Sequence, residues 1–133
     1  MKFKTALLAT ALTGVAFAAS AGEVTVMSWG GAYTKSQVEA YHKPFSAETG
    51  IKVNSVDSDN PATPIKAQVE AGNVSIDVAD VEFSDAIRLC DEGLLEEIDA
   101  SMLPDAPDGT SAADDFVEGA LQDCAVANIV WST

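Results

Sequence analysis

The sequence predicts an α/β fold with a mostly parallel sheet flanked by helices, and three observations predict it. Extended apolar runs alternate with helical patterns, the links between them are short, and glycines stand where the helices should stop. Such alternation builds parallel strands with crossover helices, and a parallel sheet requires cover on both faces. Only three short helices and a last strand begun near the end are present, so the sheet is incomplete. The chain therefore reads as part of a larger protein.

Residues 1–21 carry Lys2 and Lys4, an apolar stretch from Ala6 to Ala19, and a small-x-small Ala19-Ser20-Ala21 cleavage signal. This is the pattern of a secretory signal peptide, and the stretch is shorter than the ~20 apolar residues a membrane span needs. No later segment is as apolar, so the mature product is expected to be soluble. Removing 21 of the 133 residues leaves 112, enough for one domain over residues 22–133. The leader takes two lysines and no acid, which moves the formal charge from −14 to −16. That field repels DNA, RNA and anionic lipid and modestly concentrates cationic solutes, although acidity also serves solubility alone.

The mature chain opens with an extended run, EVTVMSW, that ends at a double-glycine turn with aromatics on either side: Trp29, Gly30, Gly31 and Tyr33. A strand feeding a helix through a glycine turn opens a crevice at its carboxyl end, where open α/β sheets bind small ligands. Thr34 and Gln37 have capping-box spacing, Val38, Tyr41 and Phe45 follow at helical spacing, and Gly50 suits a C-terminal stop. These signals predict a helix over Lys35 to Thr49, disturbed at Pro44, with Tyr41 on its buried stripe. Ile51 to Val56 is the second strand, and Asp57 to Pro61 a polar loop.

Thr63 as N-cap, Pro64 at the first helical position, Ile65 and Val69 four apart, and Gly72 outline the second helix. Ile76, Val78 and Val81 read as a third strand, interrupted by Asp77 and Asp80. Ser84 caps a third helix over Asp85 to Glu92, stopped by Gly93, after which Leu94, Leu95 and Ile98 return to the core. Met102 to Ala113 is rich in Pro, Asp and Gly and reads as loop. Phe116 to Leu121 suits one or two helical turns, and Ala125 to Trp131 begins a final strand.

Cys90 and Cys124 are the only cysteines. In an exported, oxidising setting an even pair favours a disulfide, and two reduced, buried thiols are the alternative. No CxxC or nearby His supports a metal or redox site. Asp57, Asp59 and Asn60 match the opening of a calcium loop, but Ala62 and Gln68 stand where Gly and Glu are required. His42, the one histidine, has no Ser or Cys partner nearby in sequence, which argues against a catalytic triad. No cofactor, metal or enzymatic activity is expected.

The segments VMSWGGAY, KPFSAETGIKV, DVADVEFSDAIRLCDEGLLEEID and NIVWST resemble the start of a periplasmic solute-binding protein of an ABC transporter, with the putrescine and spermidine receptors as the nearest likeness. The resemblance covers the whole mature chain and implies a type II periplasmic-binding-protein lobe, here the partial N-terminal lobe of a two-lobe protein. In that family's sheet order a strand returning from the second lobe lies between the third strand and the one begun at Ala125. Its absence would leave a gap with unpaired edges. The resemblance further implies a monomer that closes on a hinge around a small cationic solute and docks on an inner-membrane permease.

By the same resemblance, the ligand wall is Trp29, Gly30, Gly31 and Tyr33 after the first strand, Glu82 and Phe83 after the third, and Trp131 near the hinge. The chain departs from the best-known polyamine receptors in Gly30-Gly31, where a bulkier polar pair is usual, and in Glu82, where a small hydroxyl residue is usual. Aromatic rings suit a methylene stem through apolar area and cation–π attraction of about 0.5–2 kcal/mol, and Glu82 suits one ammonium end. Equally, Trp29 and Trp131 read as core residues at strand ends and Glu82 as a solvated loop acid. A second reading places an anionic or zwitterionic solute on the Gly30 and Gly31 amides at the helix N-terminus. Two further alternatives are a fragment of an exported α/β enzyme and a nonfunctional product of an interrupted gene.

Overall fold

The computed structural model of the protein describes residues 22–126. The leader, the last strand beyond Val126 and Trp131 lie outside the described residues. Strands β1 (Glu23–Ser28), β2 (Lys52–Asp57) and β3 (Val78–Ala79) form one parallel sheet in the order β2-β1-β3. All six residues of β1 pair with β2, from Glu23 with Lys52 to Ser28 with Asp57, whereas only Val26 and Met27 pair with β3. The strand expected over Ile76 to Val81 is thus confined to two residues. Asp77 spends its carboxylate on the Thr25 amide at 2.8 Å, a side-chain contact at the edge of the ladder.

Helix α1 (Gly31–Gln37) runs through a π-helical turn (Val38–His42) into α2 (Lys43–Thr49), which Gly50 ends in the left-handed conformation at φ 74. The helix begins four residues before the expected Lys35, so Thr34 is no N-cap. Gly30 takes that position, and Thr34 lies inside the helix with its Oγ1 accepting from the Gly30 amide at 2.8 Å. The disturbance expected at Pro44 takes the form of the wide turn just before it, because proline has no N–H to continue the i→i−4 ladder. That turn also breaks the 3.6-residue register. Tyr41 is 54% exposed and Phe45 42%, so the expected buried stripe is not buried; Thr34 and Gln37 face inward instead.

Helix α3 (Ala62–Glu70) starts at a Pro61 cap, not at Thr63, and Asn60 Oδ1 accepts from the Ala62 amide in an Asx turn. Helix α4 (Phe83–Asp91) starts two residues before Asp85, with Glu82 as N-cap and Ser84 inside its first turn. These starts differ because Pro61 and Glu82 already occupy the cap positions that the hydroxyl residues were expected to fill.

Ala62, Ile65 and the fully buried Leu89 form the core of the α3–α4 face, and Val69, Ala79, Val81, Leu94 and Leu95 pack against it. Burying a leucine of this kind stabilises by about 1.5–3 kcal/mol. Lys66 on α3 and Arg88 on α4 both bond Glu92, and these partners hold the exposed Glu92 carboxyl below its ordinary pKa. A single 3-10 turn (Ala100–Met102) and the short α5 (Ala112–Asp115) follow, and the helical turns expected over Phe116 to Leu121 are absent. The chain there is tied differently: Leu121 bridges Val126, Ile98 N donates to Asp123 O at 2.6 Å, and Cys90 and Cys124 are joined in a disulfide with Cα atoms 5.8 Å apart.

Among the described residues the outer edge of β3 has no strand partner. A groove of about 620 Å³ runs along it, bounded on the far side by Cys124, Ala125 and Val126. Val74 and Val78, on the β3 side, are more than half exposed. The gap expected between the third strand and the one begun at Ala125 cannot be placed, because that last strand lies outside the described residues.

Candidate functional site

The carboxyl ends of the three strands meet at the glycine turn, and the sheet order decides what meets there. From β1 the chain crosses to β2 on one side and from β2 back to β3 on the other, so the topological switch flanks β1, the place where open α/β sheets hold ligands. Gly30 turns there with φ 84 and ψ −178, a conformation reserved for glycine, and Gly31 follows at φ 58. A shallow cleft of about 480 Å³ opens beside the turn, lined by Trp29, Gly30, Gly31, Asp57, Ser58 and Asp59. Its lining holds two carboxylates and one indole, with no basic side chain.

On the β3 side of the turn, Ser28 is almost wholly buried and its Oγ donates to Asp80 Oδ2 at 2.9 Å, while the Asp80 amide donates to Met27 O at 2.9 Å. Because Ser28 pairs with Asp57 and sits one place beyond the Met27–Ala79 pair, a row forms along the sheet's edge: Asp57, Ser28, Asp80. The Tyr33 phenol adjoins this row. Burial raises its pKa above the ordinary tyrosine value, and the negative charges of Asp80 and Glu82 raise it further, against a lowering by the neighbouring Gln37 amide. Gln37 is itself buried, and although it lies beside that phenol its Nε2 makes no hydrogen bond of acceptable geometry.

Trp29, Gly30 and Gly31 are therefore brought together, with Tyr33 and Glu82 on the adjoining side of the turn. Trp29 is half-buried, neither sealed in the core nor fully in solvent. Phe83 is half exposed and lines the groove along β3, as Asp80 does, and neither lines the cleft beside Trp29. Trp131 lies outside the described residues. Asp57, Ser58, Asp59 and Asp80 were not among the expected site residues. Their one sequence signal is position, just past an extended run, and a polar loop or an interrupted strand has the same appearance.

The geometry also bears on an anion at the glycine turn. The Gly30 amide is engaged by Thr34, and a Cβ built on Gly30 would sit 3.3 Å from the Asp57 side chain, so a carboxylate already adjoins the turn. Among the described residues no cluster of His, Cys, Asp or Glu has the arrangement of a metal site, and no helix is long and apolar enough to cross a membrane.

A family model described as bacterial extracellular solute-binding protein matches residues 40–132. The gamma-aminobutyric acid-binding protein of Pseudomonas aeruginosa is 39% identical over 125 residues, covering 91% of this chain and 34% of that protein. Among solved structures, an ABC transporter from Rhodopseudomonas palustris CGA009 matches with a TM-score of 0.56 at 33% identity, over 62% of this chain and 25% of that one. An ABC transporter substrate-binding protein from Bradyrhizobium japonicum USDA 110 gives 0.58 at 30%, over 62% and 28%. The PBP AgtB from A. tumefaciens R10, in complex with agropinic acid, gives 0.59 at 32%, over 63% and 26%. The chain thus spans about a third of the curated relative's length and about a quarter of each solved chain's.

Proposed function

This chain belongs to the bacterial extracellular solute-binding protein family, and from that premise we propose that it supplies part of the first lobe of an ABC-transporter receptor for a small solute bearing an ammonium group on a short methylene chain. Polyamines such as putrescine and spermidine have that chemistry, and so does γ-aminobutyric acid, the ligand in the name of the Pseudomonas relative. The observation that carries this reading is the cleft lining, where Trp29 stands beside Asp57 and Asp59 with no basic side chain among them. The indole offers apolar area and a π face to the stem, and the carboxylates offer charge-assisted hydrogen bonds to the ammonium.

In this reading the leader directs the chain to the periplasm, a second lobe closes over the solute, and the closed receptor docks on a membrane permease. The solute is carried unchanged. An anion on the glycine amides fits less well, because Asp57 adjoins that turn and the Gly30 amide is already bonded.

Calorimetric titration of the full-length protein with putrescine, spermidine, γ-aminobutyric acid and glutarate tests the proposal. Heat is expected with at least one ammonium solute and none with glutarate. Binding of glutarate with no response to the three ammonium compounds would refute it.

A further inference from the structure

We propose that the Cys90–Cys124 disulfide is a redox-sensitive latch: it holds the far wall of the groove along β3, and thiol reduction frees that wall while the sheet and the α3–α4 face stay folded. The latch bears on the groove and not on the cleft beside Trp29, so the receptor reading stands or falls separately. The groove, about 620 Å³, has Val78, Leu94 and Leu95 in its near lining and Cys124, Ala125 and Val126 as its far wall.

Residues 117–126 fold back on themselves. Leu121 bridges Val126, the Gln122 amide donates to Ala125 O at 2.9 Å, and Gln122 Nε2 donates to Gly119 O at 2.6 Å. Among the described residues this segment is tied to the rest of the chain by the disulfide and by one backbone bond, from Ile98 N to Asp123 O, and the two ties fall on neighbouring residues. Apolar burial adds little: Ala120 is buried, but its side chain is a single methyl, and Val117 is 69% exposed.

The other end of the latch is firmly seated. Cys90 lies on α4, whose Ala86 and Leu89 are buried, and whose Glu92 pairs with Lys66 of α3. Cutting the crosslink therefore leaves α4 in place and leaves the wall with one backbone hydrogen bond, too little to offset the conformational entropy of a whole segment. Both cysteines are partly exposed and Cys124 borders the groove, so a small thiol reaches the bridge. The step is exchange with a dithiol. One thiolate attacks a sulfur of the bridge, the S–S bond breaks, and the departing cysteine takes the electron pair and then a proton. The second thiol displaces the other cysteine from the mixed disulfide, so the protein gains two thiols and the dithiol is oxidised to a disulfide.

The test treats the full-length protein with dithiothreitol under native conditions and follows backbone amide exchange by mass spectrometry, beside a variant carrying Cys90→Ser and Cys124→Ser. Exchange over residues 94–98 and 117–126 is expected to quicken about tenfold or more in both, with β1 and β2 changed by less than about twofold. Reoxidation of the wild type is expected to restore protection, and the variant has no such recovery. Unchanged exchange over 117–126 after reduction overturns the inference, because packing alone then holds the wall. So does a bridge that dithiothreitol opens only on unfolding, or an equal loss of protection in β1 and β2, which would make the crosslink a staple of the whole lobe. If the double variant does not fold, the reduced wild type decides by the same outcomes.

Discussion

Gly30 shows how one residue sets the cleft. Its backbone takes φ 84 with ψ near 180, and the space where a side chain would begin is already bounded by Asp57 at 3.3 Å. Gly30→Ala is therefore expected to cost about 1–3 kcal/mol of stability and to displace the Asp57 carboxylate. Gly31→Asn, at φ 58 in open space, should cost less, because asparagine tolerates that left-handed conformation. Urea unfolding of the two variants checks the order, and equal stability of Gly30→Ala and wild type would contradict it. The double glycine and its aromatic neighbours were legible in the sequence. Asp57 and Asp80 were not, since their nearness to the turn follows from strand register and sheet order, which no local pattern encodes.

At the scale of elements, strand and helix order was legible from periodicity and glycine stops, and the helix starts were not. Thr34, Thr63 and Ser84 all have the residue type of an N-cap, yet each lies inside its helix because Gly30, Pro61 and Glu82 precede it in the cap position. The π turn before Pro44 hid the outward direction of Tyr41 and Phe45, as an extra residue per turn cannot be read from spacing that assumes 3.6.

The segment after Ile98 has little regular structure, so its attachment depends on the disulfide from α4 to Cys124. Paired Cys90→Ser and Cys124→Ser replacement is expected to lower stability by roughly 4 kcal/mol, the chain-entropy cost of releasing a loop with 34-residue separation. Chemical denaturation with and without reductant measures it, and a difference below about 1 kcal/mol would show that the crosslink constrains little.

For the molecule as a whole, the order of three parallel strands leaves β3 with one partner among the described residues and an apolar groove beside it. Exposed strand edges template association, and Val78, 53% exposed on this edge, is not shielded by charge of its own. Residues 22–133 in isolation are expected to self-associate with rising concentration, and Val78→Lys to suppress it, because a lysine on an edge opposes strand addition. Light scattering across a concentration series checks this, and identical behaviour of the two proteins would discount the edge as the cause. The α/β class and the incompleteness of the sheet were visible in the sequence. The solute was not, and the chain spans only about a third of the length of the curated relative it matches.

The central position of β1 has a kinetic corollary. Its neighbours Lys52 and Val78 come 29 and 52 positions after Glu23 and Val26, so the innermost strand can be hydrogen-bonded on both sides only once most of the sheet has been synthesised. Pairings this far apart in sequence are slow to nucleate. In a nascent chain β1 can gain its second partner only after Val78 and Ala79 have been made.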